Sequence, residues 1–242
     1  IAAMIKGLDI EDLPALVRYL ETQVARLGVR IIRGREVDRA LVEQVKPDVL
    51  LLATGGRYSV PDIPGVDGRN VVRPAALNRR LRTYLRFAGP RLLLWATKLW
   101  MPIGKRVVII GGGIHGLQLA LFLTRRGRRV TVVDTAGTMG AGVVENYKFR
   151  LLWWLERKGV SMLSGVQYGE ITDQGLTITT REGREKTLAA DTILPALAME
   201  PDPGLAASLQ GTAPEIHRIG DCGNPALIID AIGDGSRIGR AI

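Results

Sequence analysis

Two hydrophobic periods alternate along the chain. Leu13, Leu16, Val17, Leu20, Val24 and Leu27 keep helical spacing, with an entry at residues 9–12, Pro14 tolerated in the first turn and Gly28 as the stop. Val29-Arg30-Ile31-Ile32 then reads as a strand, residues 41–45 as a helical turn, and Val49-Leu50-Leu51-Leu52-Ala53 as a buried strand ending in Thr54-Gly55-Gly56. A second run, Val107-Val108-Ile109-Ile110, is short and β-branched, the pattern of a parallel strand covered on both faces. Leu117, Ala120, Leu121 and Leu123 return to the helical period, which stops around Arg125-Arg126-Gly127. Val130-Thr131-Val132-Val133 is the next strand and ends in Asp134.

Further on, a Gly-rich turn over 135–142 precedes a helix over 144–158, with Leu151, Leu152, Trp154 and Leu155 on its apolar face and Gly159 as its stop. A strand at 160–163 follows. Short strands at 166–171, 176–180 and 185–189, separated by turns at Asp173-Gln174-Gly175 and Glu182-Gly183, predict an antiparallel meander. Residues 191–195 return to a parallel sheet. Residues 215–222 form a strand ending in Ile219-Gly220-Asp221-Cys222, and 225–242 a helix that includes Ala231 and Ile232.

The turn after the β-branched run carries the chemistry. Gly111, Gly112, Gly113, Ile114, His115 and Gly116 contain the G-x-G-x-x-G spacing between a strand and a helix. Gly111 permits the tight turn, Gly113 lets a pyrophosphate approach the backbone, and Gly116 lets the helix lie close to the sheet. The helix N-terminus adds N–H donors and partial positive charge. Asp134, about 20 residues beyond the glycines, stands where a ribose 2′-hydroxyl is held. A 2′-phosphate there would face a carboxylate, and Thr135, Ala136 and Gly137 supply no cation, so NADH is expected over NADPH; the arginines at 125, 126, 128 and 129 are the cations that could offset the repulsion.

Composition narrows the remaining classes. A chain of 242 residues holds one large or two modest domains. One cysteine, Cys222, excludes an internal disulfide framework and fits a reducing, cytoplasmic compartment. Cys222 reads as a small buried filler, and His115 and His217 as isolated groups rather than catalytic bases. The net charge of +9 comes from 33 basic and 24 acidic residues. Nine of the basic ones fall between Arg73 and Arg106, a stretch without Asp or Glu, and removing those nine leaves 24 against 24. A charge excess confined to one segment, with no reader motif beside it, argues against nucleic acid. Within that segment Leu77, Leu81, Tyr84, Leu85 and Ala88 have helical spacing, and the apolar stretch 92–103 is interrupted by Lys98 and too short to span a bilayer. Residues 77–102 read as a basic, Trp-bearing helical hairpin, open between packing on the domain junction, docking a partner, lying on a membrane surface and contacting the phosphates of an anionic substrate.

Three segments together resemble a family. Ala53-Thr54-Gly55-Gly56 followed by Pro61-Asp62-Ile63-Pro64-Gly65, the glycine turn with Asp134, and Ile219-Gly220-Asp221-Cys222 are similar to the motifs of flavoproteins with two dinucleotide-binding domains. Within that group the chain resembles the C-terminal FAD/NAD(P)H module of the 2,4-dienoyl-CoA reductase and NADH:flavin oxidoreductase family, to which trimethylamine dehydrogenase belongs. The resemblance implies an α/β fold: a Rossmann-like NAD(P)H-binding domain with a β-meander over 103–202, inserted in a FAD-binding Rossmann-like domain made of 1–72 and 203–242, with 73–102 as a basic helical insertion. The family's FAD domain opens with its own strand and glycine turn; that unit has no counterpart here, so the domain reads as truncated. A second departure is Ala198 where the pattern has glycine.

By the same resemblance, NADH binds at residues 111–116 and Asp134, and FAD at Ala53, Thr54, Gly55, Gly56, Gly220, Asp221, Ala231 and Ile232. Hydride passes from NADH to FAD, and electrons pass on to FMN and a [4Fe–4S] cluster in an N-terminal flavin barrel that acts on an unsaturated acyl substrate. The cofactors do the chemistry, so no catalytic side chain and no metal ligand is assigned in this chain. Two other readings stay open: a nucleotide-binding fragment without turnover, and a membrane-peripheral NADH dehydrogenase anchored through 77–102.

Overall fold

A computed structural model of the chain describes residues 13–73, 75, 76, 97 and 101–242. The helix entry expected at 9–12 and nearly all of the hairpin expected at 77–102 lie outside the described residues. The elements are α1 (Leu13–Arg26), α2 (Arg39–Val45), β1 (Val49–Leu52), β2 (Arg57–Tyr58), β3 (Arg106–Ile110), α3 (Ile114–Thr124), β4 (Arg129–Asp134), α4 (Glu145–Arg157), β5 (Ser161–Ser164), β6 (Gln167–Thr172), β7 (Gly175–Thr179), β8 (Glu185–Ala189), β9 (Thr192–Pro195), β10 (Met199–Glu200), α5 (Gly204–Ser208), β11 (Glu215–Arg218) and α6 (Ile228–Ile238). They group into two compact units. One comprises Val60–Ala198 with the chain up to Leu20; the other comprises Glu21–Ser59 and Met199–Ile242.

The first unit is built on a parallel sheet in the order β5-β4-β3-β9. β3 is central, and its side chains point alternately to opposite faces. Val107 and Ile109 pack with Leu117, Leu121, Leu123, Leu151 and Leu155 of α3 and α4. Val108 and Ile110 pack with Ile171, Leu176, Ile178 and Leu188 of the meander. Both faces are covered, which is why the strand is a continuous apolar run rather than an alternating one. The meander is the antiparallel sheet β6-β7-β8. Leu117, Ala120, Leu121 and Leu123 are fully buried, so the helical stripe read from the sequence is the packed face of α3. Residues 60–73 lie on this unit as well: Ile63 is buried among the meander residues, the amide of Val72 donates to the carbonyl of Ile193 at 2.9 Å, and Asn70 Nδ2 donates to the carbonyl of Thr172 at 2.8 Å.

The second unit pairs β1 with β11 in parallel, Val49 opposite Glu215 through Leu52 opposite Arg218. β2 and β10 form an antiparallel pair. Val42, Leu52, Leu209 and Cys222 make its small core, so Cys222 is the buried filler the sequence suggests. Asp38 caps α2, its Oδ1 accepting from the Leu41 amide at 2.8 Å.

One expectation fails here. Residues 29–32 are not a strand. Their β-branched composition suits one, but a strand needs a neighbour for its ladder, and among the described residues β1 is paired with β11 alone. Val29, Ile31 and Ile32 are instead 54%, 59% and 58% exposed. The helix expected from the spacing of Leu13 to Leu27 is present as α1, with Leu16 and Val24 half-buried and Val17, Leu20 and Leu27 exposed. No helix among the described residues is long and apolar enough to cross a membrane.

The burial pattern predicts a contrast in stability. Leu121→Ala should cost about 2–5 kcal/mol, because it removes a fully buried side chain from the interface of α3 and the sheet. Phe149→Ala, on the exposed side of α4, should stay within about 0.5 kcal/mol. Urea unfolding followed by far-UV circular dichroism measures both.

Candidate functional site

The glycine turn lies at the carboxyl end of β3, where open parallel sheets bind ligands. Gly111 has φ 114°, a conformation closed to ordinary side chains, and rests against the carbonyl of Ala196. Gly116 faces the carbonyl of Gly111 so closely that a Cβ would collide with it. α3 can therefore start directly under the turn. A Cβ on Gly113, by contrast, would meet nothing within 4 Å, so open space lies in front of this N-cap residue. The first amides of α3 have no partners within the helix and converge on that space. Gly111, Gly112 and Gly116 are buried, Gly113 and Ile114 half-buried, and His115 exposed.

Asp134 closes β4 beside the turn. Its Oδ2 accepts from the Gly112 amide at 2.5 Å and its Oδ1 from the Ala136 amide at 2.8 Å. An ionised carboxylate has about four acceptor positions, so both oxygens keep capacity for hydroxyl donors. The carbonyl of Gly112 accepts from the Gly140 amide at 2.8 Å, and Met139 lies over Gly112. Tyr168, on β6, reaches the carbonyl of Val133 at 3.4 Å. Burial and then the Asp134 charge push its phenol up to about 12.

Sequence spacing did not reveal Arg181. It sits at the tip of the β7–β8 hairpin, and its guanidinium donates to the carbonyl of Gly137 in the loop after Asp134. It also lies across Gly165, whose amide donates to the carbonyl of Ala136 at 2.7 Å. The four arginines before β4 are elsewhere. Arg129 opens β4 and Asp134 closes it, about 16 Å apart at strand rise. Arg125 stacks on Trp154 at 5.3 Å and Arg126 on Phe122 at 3.5 Å. Arg128 Nε donates to the carbonyl of Ile103 at 3.2 Å. These cations belong to the amino end of the sheet, and the offset expected from them is corrected.

In the second unit the carboxyl ends of β1 and β11 lie side by side, with the Ile219 amide donating to the carbonyl of Leu52 at 3.0 Å. Ala53, Thr54, Gly55 and Gly56 follow β1; Gly220 and Asp221 follow β11. A Cβ on Gly56 would stand 3.2 Å from the Asp221 carbonyl, and one on Gly220 3.2 Å from Ala231 of α6, so the two turns and α6 converge. Asp221 Oδ1 accepts from the Ala226 amide at 3.3 Å. Asp234 Oδ2 accepts from the Gly220 amide at 3.2 Å, and the Arg237 guanidinium first, then that amide, holds the Asp234 carboxyl below the usual range. Ile232, one position after Ala231, is 45% exposed. His217 Nε2 lies 3.1 Å from Glu215 Oε2.

The sequence profile described as pyridine nucleotide-disulphide oxidoreductase matches residues 13–235. An NADH oxidase of Thermoanaerobacter brockii is 26% identical over 221 residues, which is 91% of this chain and 32% of that protein. A nitric oxide reductase FlRd-NAD(+) reductase of Pectobacterium atrosepticum is 31% identical over 190 residues, 72% of this chain and 45% of that protein. Among solved structures, a 2-naphthoyl-CoA reductase in complex with 2-naphthoyl-CoA aligns with a TM-score of 0.81 and 27% identity over 99% of this chain and 34% of that one. The chain spans from about a third to under half the length of these relatives.

Tyr168 gives a pH signature for the carboxylate. A phenol pKa raised in the folded state contributes stability that is fully present below about pH 10 and is lost as pH rises through about 12. Asp134→Asn should lower the Tyr168 pKa while leaving it above the ordinary value, because burial is the larger cause. Tyrosinate absorbance, with Tyr168→Phe as the blank, measures the shift.

Proposed function

The chain belongs to the pyridine nucleotide-disulphide oxidoreductase family, and on that premise we propose that it is the NADH- and FAD-binding module of a flavin-dependent reductase. Members of the family bind FAD and NADH. The observation that carries the reading is the open space at Gly113, faced by the N-terminus of α3 and flanked by a carboxylate already tied to the Gly112 amide. A pyrophosphate fits such a space, since its charge meets amide donors and no side chain obstructs it. Asp134 orients the adenosine ribose through its remaining acceptor positions. Residues 103–202 form the nucleotide-binding domain in this reading. The sequence pattern assigns residues 1–72 and 203–242 to the FAD-binding one, with 73–102 as an insertion; because 60–72 pack on the first unit, the FAD-binding part of this reading is narrowed to residues 21–59 and 203–242.

In the second unit, Ala53, Thr54, Gly55, Gly56, Gly220 and Asp221 present backbone and one carboxylate at the carboxyl ends of paired parallel strands, and Ala231 and Ile232 bring α6 to the same edge. A Cβ on Gly55 would meet nothing within 4 Å, which leaves a cradle for the flavin nucleotide. When bound, NADH supplies a hydride that FAD accepts. This chain's residues bind and orient the two; none is asked to act as acid, base or nucleophile.

The finer reading is the dienoyl-CoA reductase-like one. In it the electrons go on to FMN and a [4Fe–4S] cluster in a flavin barrel N-terminal to this module, and from there to an unsaturated acyl compound. Its support is the 27% identity and nearly complete coverage of this chain by a reductase solved with an acyl-CoA.

The test uses the 242-residue chain with added FAD, titrated with NADH under anaerobic conditions. Bleaching of the flavin band with loss of NADH absorbance supports the reading. NADH binding without flavin reduction would leave a nucleotide-binding module, and no NADH binding would overturn the site itself. The carboxylate predicts the choice of nucleotide: the wild type binds NADH more tightly than NADPH, and Asp134→Asn narrows the gap by about tenfold, one charge contact's worth. Fluorescence titration of both nucleotides reads the ratio; equal affinities in the wild type would sink this assignment.

A further inference from the structure

The loop after Asp134 contains no cation in sequence, yet the fold delivers one to it. Arg181 is 44 positions beyond Gly137, whose carbonyl its guanidinium engages. Gly165, the residue after β5, lies beneath the same side chain, and a Cβ there would strike the guanidinium stem. Gly165 in turn bonds the carbonyl of Ala136, whose own amide holds Asp134 Oδ1. Arg181, Gly137, Ala136 and Asp134 are thus linked by consecutive contacts at the carboxyl edge of the β4 strand. The hairpin tip, Arg181-Glu182-Gly183-Arg184, carries two cations and one anion, so it stays net positive.

An arginine fork has five donors and suits a phosphate better than a hydroxyl. The adenosine ribose of a nicotinamide dinucleotide carries either a 2′-hydroxyl or a 2′-phosphate at the end of this strand. Asp134 favours the first and repels the second. We propose that Arg181 is the cation that meets the 2′-phosphate of NADPH, so that the chain discriminates between the two nucleotides less than Asp134 alone would impose. This rests on the nucleotide site proposed above. It differs from the arrangement read from sequence, in which the compensating arginines precede β4, because those residues sit at the opposite end of the strand and are engaged with Trp154, Phe122 and Ile103. The cation comes instead from the meander.

The experiment titrates the full chain and its Arg181→Gln and Arg181→Lys variants with NADH and with NADPH, by quenching of tryptophan fluorescence, at low and high salt. Arg181→Gln should weaken NADPH about tenfold, the value of one charge-assisted contact, and leave NADH within about twofold. Arg181→Lys, which keeps the charge but not the fork, should recover part of the NADPH affinity. Salt should weaken NADPH binding more in the wild type than in Arg181→Gln. Equal weakening of both nucleotides would overturn the proposal and make Arg181 a strut for the Gly137 loop. So would an unchanged NADPH affinity. A wild-type chain that binds neither nucleotide would overturn the underlying site, an outcome distinct from either of these.

Discussion

The contact on which the first unit depends is the approach of Gly116 to the carbonyl of Gly111. It lets α3 begin beneath the turn and press a wholly apolar face onto β3, with Leu117, Ala120, Leu121 and Leu123 excluded from water. The same turn brings Gly111 against Ala196, just past β9, so the return strand is fixed by the backbone conformation that admits the helix. Helix position, strand neighbours and the direction of the free amides follow from one stretch in which four of six residues are glycine. A methyl group at Gly116 would separate all three, which makes this position a packing constraint before it is a binding one.

Asp134 extends that arrangement from packing into electrostatics. Its carboxylate is anchored by two backbone amides, from Gly112 on one side and Ala136 on the other. It therefore joins the glycine turn to the loop after β4, and the side chain expected to read a ribose also holds the turn expected to read a pyrophosphate. Its charge also reaches Tyr168, where it is the second cause, after burial, of the raised phenol pKa. The basic residues nearby divide by position: those at the amino end of β4 are used on aromatic rings and carbonyls, whereas Arg181 of the hairpin tip, and Lys148 of α4 against Gly140, bring positive charge to the carboxyl edge.

Much of this was legible in the sequence because local rules govern it. The β-branched run of β3, the stripe of α3, the turns of the meander and the helical turn at 41–45 depend on neighbours within a few residues, and each lies where the pattern places it. What was hidden depends on distant partners. Residues 29–32 have the composition of a strand, yet composition does not supply a ladder. The stripe of α1 has the right period, and period does not say whether a surface covers it. Arg181 reaches the Asp134 loop only because β7 pairs with β6, which places the hairpin tip beside Gly165. The same limit applies in the second unit, where Gly56 and Asp221 lie far apart along the chain and meet through the β1–β11 pair.

The order β5-β4-β3-β9 has a consequence for what the chain can tolerate. Arg129 lies 23 positions after its partner Arg106, whereas Thr192 lies 85 positions after its partner Val107, because α3, β4, α4, β5 and the meander are all strung between β3 and β9. Closing the longer loop costs only about 1 kcal/mol more in chain entropy than closing the shorter one, since the cost grows with the logarithm of length. The meander is itself made of adjacent hairpins, which form without waiting for β9. Even doubling the whole connection would add only about 0.6 kcal/mol of closure entropy, less than the loss of a single buried leucine. The meander's hairpin tips can thus lengthen, shorten or change composition at small cost to the parallel sheet, and the edge beside the loop after Asp134 is the part of this fold most open to evolutionary revision.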